Sequence, residues 1–175
     1  EGGLQIYKVI SDDSQTKLQV YENLKKEDPD AVLTVWPFLF INETNQTIFP
    51  LSGISNRQTL FCNNDGYYPI NQSDRYGFNN PDIEWDKKKI EFLLIGDSHT
   101  HGMGVYEADT IGGNLRRNIN EGGVLNLGQG GNGSLIEYAT LREYLPFINT
   151  KRVLWIYTEG NDQVNLENEL NNQIL

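Results

Sequence analysis

The feature that most constrains the fold is an alternation of short apolar runs and helical segments in the second half of the chain. The first two runs, over 92–95 and 124–127, have the continuous apolar character of strands buried on both faces. A third strand is predicted over 152–157. Helical patterns follow the strands over 109–118, 134–145 and 164–175. Strands and helices in this order predict an α/β fold with a parallel sheet and right-handed crossovers.

Capping signals mark the starts of the predicted helices. Asp109 or Thr110 is the expected N-cap of the first helix. Ser134 and Glu137 have the spacing of a capping box at the start of the second helix. Asp162 is expected to cap the third helix. A three-stranded sheet is small for such a fold, so we expect the sheet to be incomplete at the C-terminus.

The first half of the chain lacks this regularity. Residues 1–89 are expected to form an irregular, partly β arm that packs on a core of residues 90–175. The run 31–41 is rich in β-branched and aromatic residues and predicts a strand, interrupted at Pro37, that pairs with 47–51 across a polar turn. Residues 74–85 are expected to form a surface loop.

Charge and composition exclude several classes of partner. The net charge is −10, so the chain offers no basic surface for nucleic acid or for anionic lipid. It contains no run of about 18 apolar residues, so we expect no direct membrane insertion by this chain. The first residue is Glu1 rather than Met, which fits a removed leader or anchor and favours a cell-envelope, periplasmic or secreted location.

Each predicted strand ends in a loop that carries small and polar residues. The loops read GDSHTHG over 96–102, NLGQGGNG over 126–133 and YTEGND over 157–162. Because active sites in open parallel sheets form beyond the carboxyl ends of the strands, we expect these loops to converge on one rim. Each loop contributes small residues that let the backbone approach a ligand, together with a polar group.

These three blocks, in this order and spacing, resemble the SGNH/GDSL hydrolase family, and DRYGFNN over 74–80 resembles a lead-in found in some members. The resemblance implies a three-layer α/β/α, flavodoxin-like fold and a serine hydrolase acting on a small-molecule or glycan ester. It implies that Ser98 is the nucleophile and that Gly131 N–H and the Asn161 side chain stabilise the oxyanion. Asp97 is expected to be structural at the site. The further expected site-lining residues are His99, His101, Gln129, Asn132 and Glu159.

The general base is the part of the resemblance that this sequence does not supply. The family carries its catalytic Asp and His in a later block, whereas this chain contains only His99 and His101. His99 is adjacent to Ser98 and is expected to point away from it. His101 could face Ser98 from a helical turn, but we expect both histidines to line or cap the site. The base would then lie on a further segment or on another chain.

The sequence leaves three functions open. Hydrolysis of a carboxylic ester with a short acyl group, such as acetyl, is favoured. An O-acyltransferase acting on a glycan and a non-catalytic SGNH-like binding module are the alternatives. For the aromatic residues of the arm, we expect packing on the core rather than a role in shaping the acyl pocket. No cofactor and no metal centre are expected, since His99 and His101 lack a third ligand at a telling spacing.

Overall fold

Two small sheets and five α-helices make up a mixed α/β fold in the computed structural model, which describes residues 15–43, 47–63, 66–172 and 174–175. The strands are β1 Val32–Leu33, β2 Gln58–Leu60, β3 Ile70–Gln72, β4 Ile90–Gly96, β5 Gly123–Asn126 and β6 Val153–Ile156. The α-helices are α1 Lys17–Glu27, α2 Ser98–His101, α3 Ile111–Asn118, α4 Ser134–Tyr144 and α5 Asp162–Glu169. Short 3-10 turns cover Pro37–Phe40, Asp82–Asp86, Glu107–Asp109 and Leu145–Phe147.

The larger half is organised around β4, which lies between β5 and β6 with all three strands parallel. This confirms the predicted alternation and the parallel sheet. Leu93, Leu94 and Ile95 of β4 are fully buried, as expected of a strand covered on both faces. β6 differs, because Val153 and Trp155 remain 39% and 43% exposed at the sheet edge. Because the three strands are parallel, their carboxyl ends all lie at the same edge of the sheet, which forms the rim.

Thr110 caps α3, which confirms one of the two expected N-caps. Its Oγ1 accepts a hydrogen bond of 2.9 Å from Gly113 N–H. The capping box predicted for α4 is wrong: Gly133 is the N-cap, and neither Ser134 nor Glu137 makes the expected bond. The Glu169 carboxylate takes that place from the end of α5.

Glu169 reaches across to the exposed backbone donors at the start of α4. Its carboxylate accepts hydrogen bonds from Leu135 N–H at 2.8 Å, from Ile136 N–H at 3.2 Å and from Gly133 N–H. These are the N–H groups that a helix leaves without intrahelical partners. A carboxylate at this end also interacts favourably with the helix dipole. The first turn of α4 is therefore capped by a residue far away in sequence.

Asp162 does not cap α5 as predicted. The helix starts at Asp162 itself, with Asn161 as the N-cap, and it ends at Glu169 rather than near residue 175. Asp162 is fully buried, and its Oδ2 accepts a hydrogen bond of 2.6 Å from Thr158 N–H. The side chain closes the turn before the helix instead of satisfying the helix donors.

The arm folds differently from the predicted hairpin. β1 is only Val32–Leu33 and pairs in parallel with β2, which in turn pairs antiparallel with β3. The run around Pro37 forms a 3-10 turn, because proline fixes φ and has no N–H to donate to a sheet. Residues 47–51 form no strand, and the expected turn between the two lies partly outside the described residues. The helix α1 was not predicted.

The predicted surface loop over 74–85 is also wrong, because much of it is buried. Asp74 accepts hydrogen bonds from Trp85 Nε1 at 2.7 Å and from Asn80 Nδ2 at 2.8 Å. Asn80 also accepts from Asn126 N–H at 2.8 Å and donates to Asn126 O at 2.9 Å. Its side chain therefore satisfies the outer edge of β5, as a further strand would. Phe78 is fully buried in the same core cluster as Leu93.

Candidate active site

Asp97 organises the loop after β4. It is the N-cap of the short helix α2, and its Oδ1 accepts a 2.9 Å hydrogen bond from His99 N–H. Ser98 is therefore the first residue of the helix, directly beyond the carboxyl end of the central strand. Its side chain is partly exposed, and Ser98 Oγ lies 3.5 Å from Asp97 Oδ2. This places an accessible hydroxyl at the rim of the sheet.

The loop after β6 brings Asn161 to the same carboxylate. Asn161 Nδ2 donates a hydrogen bond of 2.9 Å to Asp97 Oδ2, the oxygen that also faces Ser98 Oγ. An ionised carboxylate only accepts hydrogen bonds, so the amide nitrogen rather than the oxygen must face it. Ser98, Asp97 and Asn161 thus lie together, with Asp97 as the shared anchor.

Asp97 is charged in this arrangement. Burial alone would raise the pKa of its carboxyl, but hydrogen bonds from Asn161, from His99 N–H and from Thr158 outweigh burial. The net effect holds the pKa below its ordinary value, so the side chain is ionised at neutral pH. It therefore orients its donors instead of sharing a proton with them.

The loop after β5 is attached to the first loop through its backbone. Gln129 N–H donates to Gly96 O at 3.2 Å. A Cβ on Gly128 would lie 2.6 Å from His101 N, so only glycine permits this approach to α2. Gly131 has φ of +78°, and a Cβ there would lie 2.2 Å from Phe38 Cδ1. Backbone conformation and close packing both require glycine at Gly131.

Gln129 and Asn132, expected to line the site, are both about 1% exposed. Gln129 Nε2 donates to Gly77 O at 3.4 Å and faces the arm. The backbone oxygen of Asn132 accepts from Asn165 Nδ2 at 3.3 Å, which connects the loop to α5. Gln129 and Asn132 are therefore buried residues that connect the second loop to its neighbours, and they do not line an open site. Glu159 lies exposed at the tip of the third loop.

The two histidines have opposite environments. The His99 side chain is 68% exposed, with Nδ1 3.4 Å from Thr158 Oγ1 and 3.6 Å from Asp97 Oδ1. His101 is 3% exposed, and its ring centroid lies 4.9 Å from that of Trp36 and 5.0 Å from that of Phe61. Burial lowers the pKa of His101 to about 3, so this imidazole is neutral. In the described part of the chain, neither imidazole is hydrogen-bonded to Ser98 Oγ.

The arm aromatics Trp36 and Phe38 pack on the core as expected, but the loop that they contact and the burial of Glu137 were not predicted. Trp36 and Phe38 of the arm pack on the second loop, and Pro37 between them was the only signal of a turn there. Glu137 is 1% exposed, and its Oε2 accepts a 2.6 Å hydrogen bond from Trp155 Nε1. Burial, with smaller effects from Asp162, Asp97 and Glu169, raises the pKa of Glu137 to about 8. No local sequence pattern marked this burial, because it follows from the contact with Trp155 on the neighbouring strand β6.

Comparison with protein-family models and with curated proteins finds no match to this chain. The geometry of the rim therefore carries the functional argument. Within the residues that the structure describes, no three His, Cys, Asp or Glu side chains are grouped so that they could hold a metal ion. No helix in that part of the chain combines the length and apolar character needed to cross a bilayer.

Proposed function

We propose that this chain carries the nucleophile and the oxyanion donors of an SGNH/GDSL-type serine esterase, on the core of a three-layer α/β/α fold. The observation that carries the proposal is the shared anchor: Asp97 holds the Asn161 amide beside Ser98. These residues come from two loops that are 64 positions apart between Asp97 and Asn161. The reaction is hydrolysis of a carboxylic ester: Ser98 Oγ displaces the alcohol, which leaves with the proton taken up by the base, and water then cleaves the acyl-serine bond to release the acid and restore Ser98.

In the proposed reaction, Ser98 Oγ attacks the ester carbonyl and a base takes its proton. The carbonyl oxygen becomes an oxyanion, which accepts hydrogen bonds from Ser98 N–H, Gly131 N–H and the Asn161 amide. An amide nitrogen has two hydrogens, so Asn161 can donate one to Asp97 and the other to the oxyanion. Because Asp97 fixes the amide before substrate binds, this donor needs no reorganisation during the reaction.

The base has to come from a further segment or another chain. His101 is buried among the arm aromatics, and His99 contacts Thr158 and Asp97 on the outer side. This geometry supports a second candidate, a non-catalytic SGNH-like module that binds an ester or its carboxylate product. The two candidates share the oxyanion donors and differ in whether Ser98 is activated.

Hydrolysis of p-nitrophenyl acetate by this chain tests the proposal, with Ser98→Ala as the test variant and exposed Ser55→Ala as the matched control. A steady rate that Ser98→Ala abolishes and Ser55→Ala preserves would establish the esterase and would mean that a second copy of the chain supplies the base. A rate that Ser98→Ala leaves unchanged would contradict the assignment of the nucleophile. No hydrolysis, together with acetate-induced NMR shifts at the Ser98 amide, would establish the oxyanion site, and the same assay with the base-bearing segment or partner chain present would then distinguish an esterase, which gains a rate, from a binding module, which does not.

A further inference from the structure

The 3-10 turn of the arm lies directly on the loop that carries the proposed oxyanion donor. A Cβ on Gly131 would lie 2.2, 2.6 and 2.9 Å from Cδ1, Cε1 and Cγ of Phe38, so one edge of this ring faces the Gly131 Cα. A Cβ on Gly130 would lie 3.1 to 3.2 Å from three ring atoms of Trp36. Two aromatic rings, two residues apart in the arm, therefore cover two consecutive glycines of the core.

The turn is held at both ends. Trp36 packs edge-on against His101 of α2, the helix that begins at Ser98. Beyond the turn, Ile41 O accepts a 2.8 Å hydrogen bond from Asn172 Nδ2, which follows α5. Pro37 is buried between these attachments. Phe38 thus has a fixed position relative to Gly131.

Packing against Gly131 leaves part of the Phe38 ring exposed to solvent. Its side chain is 36% exposed, although one edge of the ring is in contact with the Gly131 backbone. An ester carbonyl whose oxygen binds Gly131 N–H would bring the first carbons of its acyl chain within a few ångströms of this ring. The cleft lined by Phe61, Asn79, His101 and Gln129 has neither Ser98, Gly131 nor Asn161 in its lining, so it does not extend the acyl path.

We propose that Phe38 is the wall of an acyl subsite at Gly131 and restricts it to short unbranched acyl groups such as acetyl. This inference rests on the proposed function, because it assumes that the carbonyl oxygen binds Gly131 N–H. The exposed part of the ring contacts a methyl group, whereas a longer chain meets the ring and is turned into solvent. Phe38 determines specificity in this account, and Trp36 positions the loop.

Carboxylate products probe the subsite without requiring turnover. Acetate, butyrate and hexanoate are titrated into the wild-type chain, Phe38→Ala and Phe38→Leu, and NMR follows the Ser98 and Gly131 amides and the Asn161 side-chain amide. Leu39→Ala is the matched control, because Leu39 lies in the same turn and is 56% exposed. In the wild type and in Leu39→Ala, we expect the three carboxylates to bind within about threefold of each other, since each buried methylene would otherwise strengthen binding about fourfold.

Removing the ring should change the order of affinities. In Phe38→Ala we expect hexanoate to bind at least tenfold more tightly than acetate, because the added methylenes enter the vacated space. Phe38→Leu should give an intermediate ratio and guards against a folding defect in the alanine variant. If the signals of Ser98, Gly131 and Asn161 all shift but the ratio of hexanoate to acetate affinity in Phe38→Ala equals the wild-type ratio, the proposed subsite is wrong and the oxyanion site stands. If no carboxylate shifts Ser98, Gly131 or Asn161 in the wild type, both proposals fail at the level of the site.

Discussion

The two halves of the molecule are stabilised in different ways, although both reach the candidate site. Residues 90–172 depend on a parallel sheet whose central strand is buried on both faces. In residues 15–89, a small cluster of Val20, Leu24, Ala31 and Leu60 is supplemented by side-chain hydrogen bonds to backbone and by aromatic contacts. The sheet of residues 90–172 places the three loops, whereas aromatic residues of the arm pack against the backbone of the second loop.

Asp74 orders the segment of the arm that joins the two halves. Its carboxylate accepts hydrogen bonds from Trp85 Nε1, from Asn80 Nδ2 and from the N–H groups of Tyr76 and Phe78. Asn80 carries this network to both backbone groups of Asn126 in β5. The join is therefore polar, and Asn80 and Asn126, which form it, are both about 1% exposed.

The largest effect is expected from Asp74→Ala, because it leaves several buried donors without an acceptor. We expect the free energy of unfolding to fall by about 3 kcal/mol, measured by urea denaturation. Asp82→Ala is the control: Asp82 is 46% exposed and pairs with Arg75 at the surface, so its loss should cost less than about 1 kcal/mol. Equal effects of the two variants would mean that the buried donors of this segment do not depend on Asp74.

Gly131→Ala tests the contact between the arm and the second loop. Alanine would have to adopt the positive φ of Gly131, and its methyl group would overlap the Phe38 ring. We therefore expect the free energy of unfolding to fall by about 2 to 3 kcal/mol. Gly160→Ala is the control, since φ there is +101° but nothing lies within 4 Å of the added Cβ. It should cost only about 1 kcal/mol for the backbone strain. Adding Phe38→Ala to Gly131→Ala should recover at least about 1 kcal/mol, and additive effects would argue against direct contact.

Glu137 makes the stability of the core depend on pH. Its folded pKa of about 8 lies above the ordinary value of 4.5, so the unfolded chain loses this proton first as pH rises. Folding is therefore most favourable with respect to Glu137 below about pH 4.5, and this contribution is lost progressively up to about pH 8. Between pH 5 and pH 8.5 we expect Glu137→Gln to reduce the fall in unfolding free energy by about 1 to 2 kcal/mol. Exposed Glu143→Gln on the same helix should leave the pH profile unchanged.

The smallest effects distinguish a local cap from a distant one. Thr110→Ala removes the acceptor for Gly113 N–H and should cost about 1 kcal/mol of unfolding free energy. Ser134→Ala should change it by less than about 0.5 kcal/mol, because Glu169 already satisfies the start of α4. Thermal unfolding measured by circular dichroism compares the two. A large effect at Ser134 would restore the capping box that the spacing predicted.

Much of the sheet could be predicted because its signals are local. The apolar run in β4 and the N-cap at Thr110 depend on neighbours within a few residues. Two of the failures involve distant partners, whereas the turn at Pro37 and the Asp162–Thr158 bond are local and were misinterpreted. Glu169 accepts hydrogen bonds from the N–H groups that Ser134 was expected to cap. The backbone of Asn126 binds the Asn80 side chain, so the segment 74–80 packs on β5 and does not form a surface loop. For the site, the three loops could be predicted, but the Trp36 and Phe38 contacts could not, because no local pattern shows which loop an aromatic turn will cover.

The bond from Glu169 to the start of α4 sets a minimum length for a fragment that keeps the second loop in place. The Glu169 carboxylate accepts a hydrogen bond from Gly133 N–H, and Gly133 lies two residues after Gly131. A proteolytic cut or an engineered stop before residue 169 would leave Ser98 and Asn161 in the chain but remove the acceptor that holds the end of the glycine loop. Such a fragment would keep every residue of the three sequence blocks while losing the fixed geometry of the second. Boundaries for expression should therefore be chosen beyond α5, and motif coverage alone is a poor guide to them.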